Sequence, residues 1–263
     1  MIYVILAHNS PEMLNILITK LMDNNNHFVI HIDRKHNIRP FLKAVSGKQN
    51  CHFTPKRYAS LWGSFELVKA TLHAFEYIRK EIRNNQRIVL LSGETLPIKS
   101  NKYINLYLSS HPDTIFIDYE AIPRKMWYAG GVQRFPSYET ISEYLKFYGG
   151  SQWFSIPRKA LSIIFKYLKE NPGFLHYFKH VIIPDESFFQ TLFMNCGDPY
   201  VDKNLKNQNL HYIKWDKPYV SPRILTLKDI HQINKSRCLF ARKFNIIKSS
   251  NILSLLNEDI ITV

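Results

Sequence analysis

The sequence has no apolar run long enough to cross a membrane and no cysteine pattern typical of a metal site or disulfide framework. The opening run, Ile2–Ala7, is far shorter than the roughly 18 apolar residues of a spanning helix and lacks the basic start of a signal peptide. The three cysteines (Cys51, Cys196 and Cys238) are odd in number, far apart and outside any CxxC pair. We therefore expect a protein of a reducing, cytoplasmic compartment without a zinc site.

Three nucleotide-binding motifs are also missing. There is no GxGxxG after the first apolar run, which weighs against a dinucleotide enzyme, and no GxxxxGK[ST], which weighs against a P-loop protein. There is no Asp-x-Asp, the motif with which many nucleotide-sugar enzymes hold a metal against the diphosphate. The nearest substitute is Asp118-Tyr119-Glu120, which we interpret as a strand end. The sequence therefore predicts neither a metal nor another cofactor.

The composition favours one domain with an anionic partner. The chain has 263 residues of which 45% are hydrophobic, enough for one large core. Its formal net charge of +14, from 35 Lys+Arg against 21 Asp+Glu, favours nucleotides, nucleic acid or acidic lipid headgroups. Aromatic residues make up 14%, and such side chains can stack on sugars or bases. Charge alone does not choose among these partners.

The apolar pattern alternates between strands and helices. Ile2–Ala7 and Phe28–Ile32 are unbroken apolar runs, typical of strands buried on both faces. Between them, Ser10 is a good helix N-cap and Pro11 a good first helical residue. We also predict a helix over 61–82, strands over 88–91, 114–117 and 152–156, a helix over 159–169, and loops with short elements over 119–150. The order predicts a single α/β domain with a Rossmann-type, mostly parallel sheet flanked by helices.

Polar residues follow three of the predicted strands. They are His8-Asn9, Asp33-Arg34-Lys35 and Ser92-Gly93-Glu94. Ligands of open parallel sheets lie beyond the carboxyl ends of the strands. These residues therefore predict a pocket for a nucleotide or nucleotide sugar.

Glu186 is the strongest candidate for chemistry. It follows Pro184-Asp185, between an apolar run and an aromatic-rich segment that we predict to be a helix. An acid held there could accept a proton from a substrate hydroxyl. Alternatively, Asp185 is an N-cap and Glu186 a first-turn acid that stabilises the helix. The local pattern alone favours the cap.

Nine segments together resemble glycosyltransferase family 14, which contains core-2/I-branching β-1,6-N-acetylglucosaminyltransferases and peptide O-xylosyltransferases. In order, they are Ile5–Asn9, His31–Lys35, Trp62–Ala70, Leu91–Ser100, Gly149–Phe154, Pro184–Phe189, Tyr212–Trp215, Ser221–Arg223 and Leu239–Phe244. Each is weak alone, and their shared order makes the resemblance specific. The resemblance implies a GT-A-like fold, inversion at the anomeric carbon and activity without a metal.

The resemblance also implies roles for individual residues. It places the base at Glu186 and the cations that bind the diphosphate at Arg223 and Lys243. Fixed cations of this kind would neutralise the leaving group where no metal does. Without the resemblance, Arg242-Lys243 reads as a solvated basic turn.

The remaining candidates line the donor and acceptor sides. On the donor side, the resemblance places Asp33 near the uridine and Trp62 near the base, and we add Ala7 and His8. Asp33 could instead be a turn or cap residue, and Trp62 could pack in the core. The acceptor candidates are Glu94, Trp153 and Trp215. Trp215 could equally be structural.

One position departs from the family pattern. Where the family commonly has an Asp two residues before the Pro of Ser-Gly-x-Asp-x-Pro, this chain has Thr95, with Glu94 just before it. In the xylosyltransferases that Asp is implicated in catalysis or substrate positioning, so Thr95 counts against a xylosyl donor. Glu94 could substitute, although successive strand residues point to opposite faces.

We therefore expect an inverting, metal-independent transferase that moves N-acetylglucosamine from a UDP-sugar to a hydroxyl of a glycan. The alternatives are a UDP-xylose-dependent enzyme, a basic nucleic-acid-binding protein and an inactive glycan-binding relative. Within the single domain over 1–263, residues 1 to about 120 would form the nucleotide-binding part and residues from about 121 to 263 the acceptor-binding and catalytic part. We expect a bacterial-type enzyme of surface polysaccharide biosynthesis, cytoplasmic and peripheral at an anionic membrane face, with a glycan or lipid-linked glycan acceptor and no nucleic acid.

Overall fold

The computed structural model describes residues 1–83, 87–216 and 221–257. The strands are β1 (Ile2–Ala7), β2 (His27–Ile32), β3 (Cys51–Phe53), β4 (Ile88–Ser92), β5 (Thr95–Pro97), β6 (Ile115–Ile117), β7 (Glu120–Ala121), β8 (Tyr148–Gly149), β9 (Ser155–Ile156), β10 (Leu205–Asn207), β11 (His211–Ile213) and β12 (Phe240–Arg242). The α-helices are α1 (Pro11–Leu21), α2 (Arg39–Ala44), α3 (Glu66–Glu81), α4 (Asn101–Ser109), α5 (Tyr138–Ile141), α6 (Lys159–Glu170), α7 (Pro172–Phe178), α8 (Phe188–Asn195), α9 (Pro199–Asn204), α10 (Ile230–Lys235) and α11 (Ser250–Asn257). Short 3-10 helices cover Tyr128–Arg134, Pro184–Glu186 and Leu227–Asp229.

The central sheet is mostly parallel, as the sequence predicts. Within the described residues it has seven strands in the order β10-β6-β9-β4-β1-β2-β3, of which only β9 runs antiparallel to its neighbours. Apolar residues of α3, α6, α7 and α8 pack on one face, and those of α1, α4, α10 and α11 pack on the other. The α/β architecture with helices on both faces follows from these two layers.

The first strand and helix form for the reasons seen in the sequence. All six side chains of β1 are buried, which a strand covered on both faces requires. The Ser10 hydroxyl accepts a hydrogen bond from the Met13 N–H at 3.2 Å, and Pro11 is the first residue of α1. The apolar positions of the helix are all buried, at Met13, Leu14, Leu17, Ile18 and Leu21. These predictions are confirmed.

The long helix predicted over 61–82 begins five residues late, at Glu66. Leu61 and Trp62 are apolar but lie in an exposed loop, with 69% and 73% of their surface accessible. Gly63 has a left-handed φ of +71°, a conformation that favours glycine, and its carbonyl accepts the Ile183 N–H at 3.0 Å. The loop therefore leads from the sheet edge to the segment that carries Glu186.

The strand predicted over 152–156 is shorter than expected, because only Ser155 and Ile156 pair with neighbouring strands. Residues 150–153 are instead irregular, with a bend at Gln152, and the Ser151 N–H donates to Oδ2 of Asp118 at 2.9 Å. The helix predicted over 159–169 is confirmed as α6, and the segment over 119–150 contains only short elements, as expected.

Neither Asp185 nor Glu186 caps a helix with its side chain. Both lie in the 3-10 turn Pro184–Glu186, and α8 begins only at Phe188, after Ser187. The capping interpretation is therefore wrong. The apolar run before the turn is not fully buried either, since Ile182 is exposed.

The two parts expected on either side of residue 120 interlock in the fold. β5, from the first part, pairs antiparallel with β12, from the second, in the sheet β11-β12-β5. Across the ranges that the structure describes, no helix combines the length and apolarity needed to cross a bilayer.

Candidate active site

Close packing of two strand ends brings the first candidates together. β1, β2 and β4 run parallel, so Ala7, Asp33 and Glu94 follow at the same sheet edge. The Gly93 N–H donates to the Leu6 carbonyl at 2.8 Å, and a Cβ on Gly93 would lie only 2.6 Å from that of Ala7. Glycine at position 93 thus permits the approach that sets Glu94 beside the end of β1.

Glu94 connects the sheet edge to the strand that carries Lys243. Its Oε1 accepts from Nδ2 of Asn9 at 3.0 Å, and its Oε2 lies 3.2 Å from Nζ of Lys243. The Phe244 N–H donates to the Glu94 carbonyl at 2.9 Å, which fixes the chain beside Lys243. Only 7% of Glu94 is exposed, so the ion pair is shielded from water.

His8 lies in the same group of charges. Burial lowers its pKa, while Glu94 acts to raise that pKa and Lys243 to lower it. The His36 ring lies 5.9 Å from the His8 ring. The structure therefore brings together Ala7, His8, Glu94 and Lys243, of which the sequence assigns Glu94 to the acceptor side and the other three to the donor side.

Asp33 is adjacent to this group but holds a loop. Its Oδ1 accepts the Lys35 N–H at 2.8 Å, and its Oδ2 accepts the Ser60 N–H at 2.9 Å. This geometry matches the turn interpretation of Asp33. Trp62 follows in the loop that Asp33 anchors, and its high exposure shows that the core-packing alternative for Trp62 is wrong.

Arg242 lies close enough to the carboxylates of Glu94, Asp185 and Glu186 for their charges to act on its pKa. Burial lowers its pKa to about 10, and Glu94, Glu186 and Asp185 act in the opposite direction. Its guanidinium lies 4.8 Å from the ring centre of Trp153, which is only 6% exposed. A ring so covered offers little face to a sugar, so Trp153 supports Arg242 and does not form the acceptor surface expected of it.

The Glu186 carboxylate is held from one side. Its Oε2 lies 2.8 Å from Nη1 of Arg134, whose guanidinium stacks 3.7 Å from the ring centre of Trp127. Among the described residues, no group donates to Oε1 of Glu186, and the side chain remains 24% exposed. One oxygen is therefore oriented by an arginine while the other is open to a substrate.

The backbone of Glu186 is fixed by the Gly149-Gly150-Ser151 segment. The Gly150 N–H donates to the Glu186 carbonyl at 2.8 Å. A Cβ on Gly150 would lie 1.8 Å from the Asp118 carbonyl oxygen, so no larger residue fits without rearrangement. This close approach gives a physical reason for the glycine beside Ser151.

Asp185, the neighbour of Glu186, has a pKa well above the ordinary value of an aspartate. Burial raises its pKa to about 7, Glu186 adds to the increase, and Arg134 and Arg242 oppose it. A carboxyl group that changes charge near neutrality beside the candidate base was not predicted from the sequence.

Arg223 is on a segment next to Lys243, but its guanidinium is already paired with Asp229. Its guanidinium donates to Asp229, a buried carboxylate that also lies 3.1 Å from Nζ of Lys214. The Leu225 N–H donates to the Lys243 carbonyl at 2.8 Å, so Arg223 is on a chain segment adjoining Lys243. The structure gives no contact between the two predicted diphosphate cations, in the ranges it describes.

Thr95 and Trp215 differ in exposure. Thr95 pairs with Arg242 across β5 and β12, is fully buried, and has a hydroxyl without a partner among the described residues. Glu94, not Thr95, therefore faces the charged group. Trp215 is 40% exposed and forms an isolated bridge with Pro222, so it can offer part of its ring to solvent.

The acidic pair near β6 is engaged by an arginine. Arg124 lies 3.1 Å from Asp118 through Nη2 and 3.4 Å from Glu120 through Nε. Within the described ranges, no group of three His, Cys, Asp or Glu side chains is arranged to hold a metal ion.

Arg134 is not among the residues predicted for the site. Asn9 and Glu94 are both predicted at strand ends, but the sequence does not indicate the hydrogen bond between them. Arg134 lies in an aromatic segment without periodicity, and no signal in the sequence connects it to Glu186.

Comparison with known families gives a match over most of the chain. The family described as Core-2/I-Branching enzyme matches residues 1–234.

Curated relatives extend this match at low identity. The chain is 25% identical to a xylosyltransferase of Ciona intestinalis over 92% of this chain and 32% of the relative. It is 24% identical to Xylosyltransferase 1 of Homo sapiens over 97% and 30%, and 23% identical to Beta-glucuronosyltransferase GlcAT14A of Arabidopsis thaliana over 90% and 58%. The chain thus spans about a third of the length of the xylosyltransferases.

A solved structure supports the fold. The galactosyltransferase LgtC, determined with donor and acceptor sugar analogs, superposes with a TM-score of 0.54 at 13% identity, over 100% of this chain and 97% of that one. At this identity the likeness concerns the fold alone, and the expected GT-A-like fold is confirmed.

Proposed function

The chain belongs to the Core-2/I-Branching enzyme family, and on that premise we propose that it transfers a sugar from a UDP-sugar to a hydroxyl group of a glycan. The observation that carries the proposal is a row of charges, in which Lys243 lies 3.2 Å from Glu94 and Arg242 lies close enough to Glu94 and Glu186 for both carboxylates to act on its pKa. The row combines cations for a diphosphate with a carboxylate for a hydroxyl, which are the two groups that sugar transfer brings together.

The cations would stabilise the leaving group. Negative charge develops on the diphosphate as the glycosidic bond breaks, and Lys243 with Arg242 would neutralise it without a metal. Lys243 would exchange its contact with Glu94 for one with phosphate. Arg223 would contribute only after its guanidinium turns away from Asp229, so we assign it the secondary role.

Glu186 would act as the general base. Its open Oε1 would accept the proton of the acceptor hydroxyl as that oxygen attacks the anomeric carbon, while Arg134 holds the other oxygen. A single attack from the side opposite the diphosphate inverts the anomeric configuration. Inversion and metal independence are thus both parts of this proposal.

The relatives bear on the donor sugar. Their names support UDP-xylose better than the UDP-N-acetylglucosamine expected from the sequence, although one relative is a glucuronosyltransferase. Thr95, buried where the family pattern has Asp, was the argument against xylose. Because Glu94 faces the charged group, we propose that it takes over the carboxylate role and that UDP-xylose is the donor.

The acceptor and the location extend this proposal. We assign Trp62 and Trp215 to the rim of the site, because both rings are exposed and sugars stack on such faces. The net charge of +14 supports work at an anionic membrane surface on a lipid-linked glycan. The expected division near residue 120 is not part of this proposal, because Lys243 and Arg242, the proposed diphosphate cations, belong to the second part and lie close to Glu94 of the first.

A panel of nucleotides and nucleotide sugars tests the proposal. UDP and UDP-xylose should raise the melting temperature more than uridine does, and GDP-mannose should not raise it, because binding to the native state stabilises it. UDP-xylose should then be consumed in the presence of a glycan acceptor. Binding without consumption would identify an inactive glycan-binding relative, and a response to polynucleotide alone would favour the nucleic-acid alternative.

A further inference from the structure

A basic cavity of about 620 Å³ is lined by ten residues, none of which belongs to the charged row. It is bounded by α4, by β10 and by the segment that follows α10. Asn101, at the start of α4, donates to the Met22 carbonyl after α1, and Arg87, just before β4, donates to the Pro112 carbonyl beyond the end of α4. Both contacts lie at the amino edge of the parallel strands, opposite the edge that carries Glu94.

Four cations line this cavity, and no acidic side chain does. They are Lys99, Lys206, Lys235 and Arg237. In residues 1–83, 87–216 and 221–257, none of the four forms an ion pair with a carboxylate. Uncompensated cations around a concave surface concentrate anions there.

One wall of the cavity is aromatic. Tyr103, Tyr107 and His111 follow at four-residue spacing, so they lie along one side of α4 and its end. The Tyr103 and Tyr107 rings stack with their centres 6.3 Å apart, the His111 ring is tilted against Tyr107 at 4.7 Å, and Tyr103 is 47% exposed. An exposed ring at the end of a stacked row offers a face to a flat or ring-shaped ligand.

Neutral hydrogen-bonding groups complete the lining. Gln208, Asn234 and Ser236 contribute two amides and a hydroxyl, and Gln208 already donates to the Tyr107 hydroxyl at 3.4 Å. Amides and hydroxyls can both donate to and accept from the hydroxyl groups of a sugar. The cavity therefore combines anion, ring and hydroxyl recognition in one place.

We propose that this cavity is a second binding site, specific for an acidic saccharide whose sugar rings carry carboxylate or phosphate groups. Its volume is in the range of sites that hold one small ligand and suits a short saccharide better than an extended strand of nucleic acid. The cations would bind the acid groups, Tyr103 would stack on a ring, and the amides would pair with hydroxyls. The site is independent of sugar transfer, so it stands or falls separately from the proposed function.

Calorimetry with tetragalacturonate tests the proposal. Lys235→Ala combined with Arg237→Ala should weaken binding at least 10-fold, while Lys166→Ala combined with Lys169→Ala, which removes the same charge from the exposed face of α6, should leave it nearly unchanged. Equal weakening by both pairs would overturn the proposal, because it would reduce binding to the overall charge of the protein.

The aromatic wall separates the possible ligands. Tyr103→Ala should weaken tetragalacturonate binding several-fold and leave inorganic phosphate binding unchanged, whereas Tyr144→Ala, at an exposed tyrosine outside the cavity, should change neither. A thymidine pentanucleotide that binds as tightly, with the same dependence on Tyr103, would overturn the proposal in favour of nucleic acid. The melting-temperature rise with UDP serves as the folding control and should be the same in all variants.

Discussion

Nη1 of Arg134 lies 2.8 Å from Oε2 of Glu186, although 52 positions separate the two residues in the chain. The arginine is itself held against the Trp127 ring. The Arg134 guanidinium and the Trp127 ring, from a distant part of the chain, thus determine where the Glu186 carboxylate points. If Glu186 is the base of a sugar-transfer reaction, its efficiency depends on this support as well as on its own chemistry.

Glu186→Gln should retain the fold and UDP binding but lose most transfer activity. The amide preserves the shape of the side chain and cannot accept the proton, and loss of a general base typically costs roughly 100- to 10,000-fold in rate. Turnover is measured beside Glu143→Gln, an exposed glutamate outside the site, as the control. Near-normal turnover of Glu186→Gln would contradict the proposed role.

Arg134→Lys should lower kcat while leaving the affinity for UDP close to that of the wild type. Lysine keeps the positive charge but loses the planar guanidinium that stacks on Trp127, so the carboxylate is less well positioned. A misplacement of this kind can cost up to about 100-fold. Steady-state kinetics with calorimetry for UDP separates the two effects, and a loss confined to UDP affinity would refute the positioning role.

Lys243→Ala should weaken UDP binding more than uridine binding, because uridine has no diphosphate. A charge-assisted hydrogen bond contributes on the order of 1.5–3 kcal/mol.

Arg223→Ala should weaken UDP binding in the same sense and, in addition, lower the free energy of unfolding, since it leaves the buried Asp229 with Lys214 as its remaining cation. Calorimetry with both ligands, together with urea denaturation, checks this distinction. Equal weakening for UDP and uridine would mean that neither cation contacts phosphate.

Asp185→Asn should change how stability depends on pH. Burial raises the pKa of Asp185 to about 7 from an ordinary value of 3.8, so the folded protein binds this proton more tightly than the unfolded chain does. The contribution of this group to stability is therefore complete below about pH 4 and is lost as pH rises through 7. The free energy of unfolding of the wild type should fall relative to that of the variant between pH 4 and 8. Parallel curves for the wild type and Asp185→Asn would refute the shift.

Transfer activity should survive EDTA, because fixed cations are proposed to replace a metal at the diphosphate. The assay compares turnover with and without chelator, followed by addition of Mn²⁺. Arg124 pairs with both Asp118 and Glu120, which leaves this acidic pair poorly suited to a divalent ion. Loss of turnover that Mn²⁺ restores would return attention to that pair.

The sequence predicts the structure well where that structure depends on residues that are close together along the chain. β1 and α1 could be predicted because an unbroken apolar run and the Ser10 cap act locally. The start of α3 could not, because Leu61 and Trp62 look like core residues and are exposed. The exposure follows from the left-handed turn at Gly63, which apolar periodicity does not indicate.

In the candidate site, too, some neighbours could be predicted from the sequence and others could not. His8 and Glu94 could be placed at one edge because parallel strands end together. The partners of Glu186 and Arg223 could not, because ion pairs between distant segments leave no periodic trace. The local sequence predicts Asp185 as a helix cap, whereas in the fold the helix begins at Phe188, two residues beyond Glu186.

The contact between Glu94 and Lys243 has a consequence for the end of a reaction cycle. The lysine has a partner within the protein, so, if Lys243 binds the diphosphate as proposed, the incoming diphosphate would have to displace the Glu94 carboxylate. The same carboxylate can reclaim the lysine once the sugar has left, and this competition would shorten the lifetime of the UDP complex. Glu94 and the product UDP would compete for Lys243, so the ion pair would favour rapid release of UDP over tight retention.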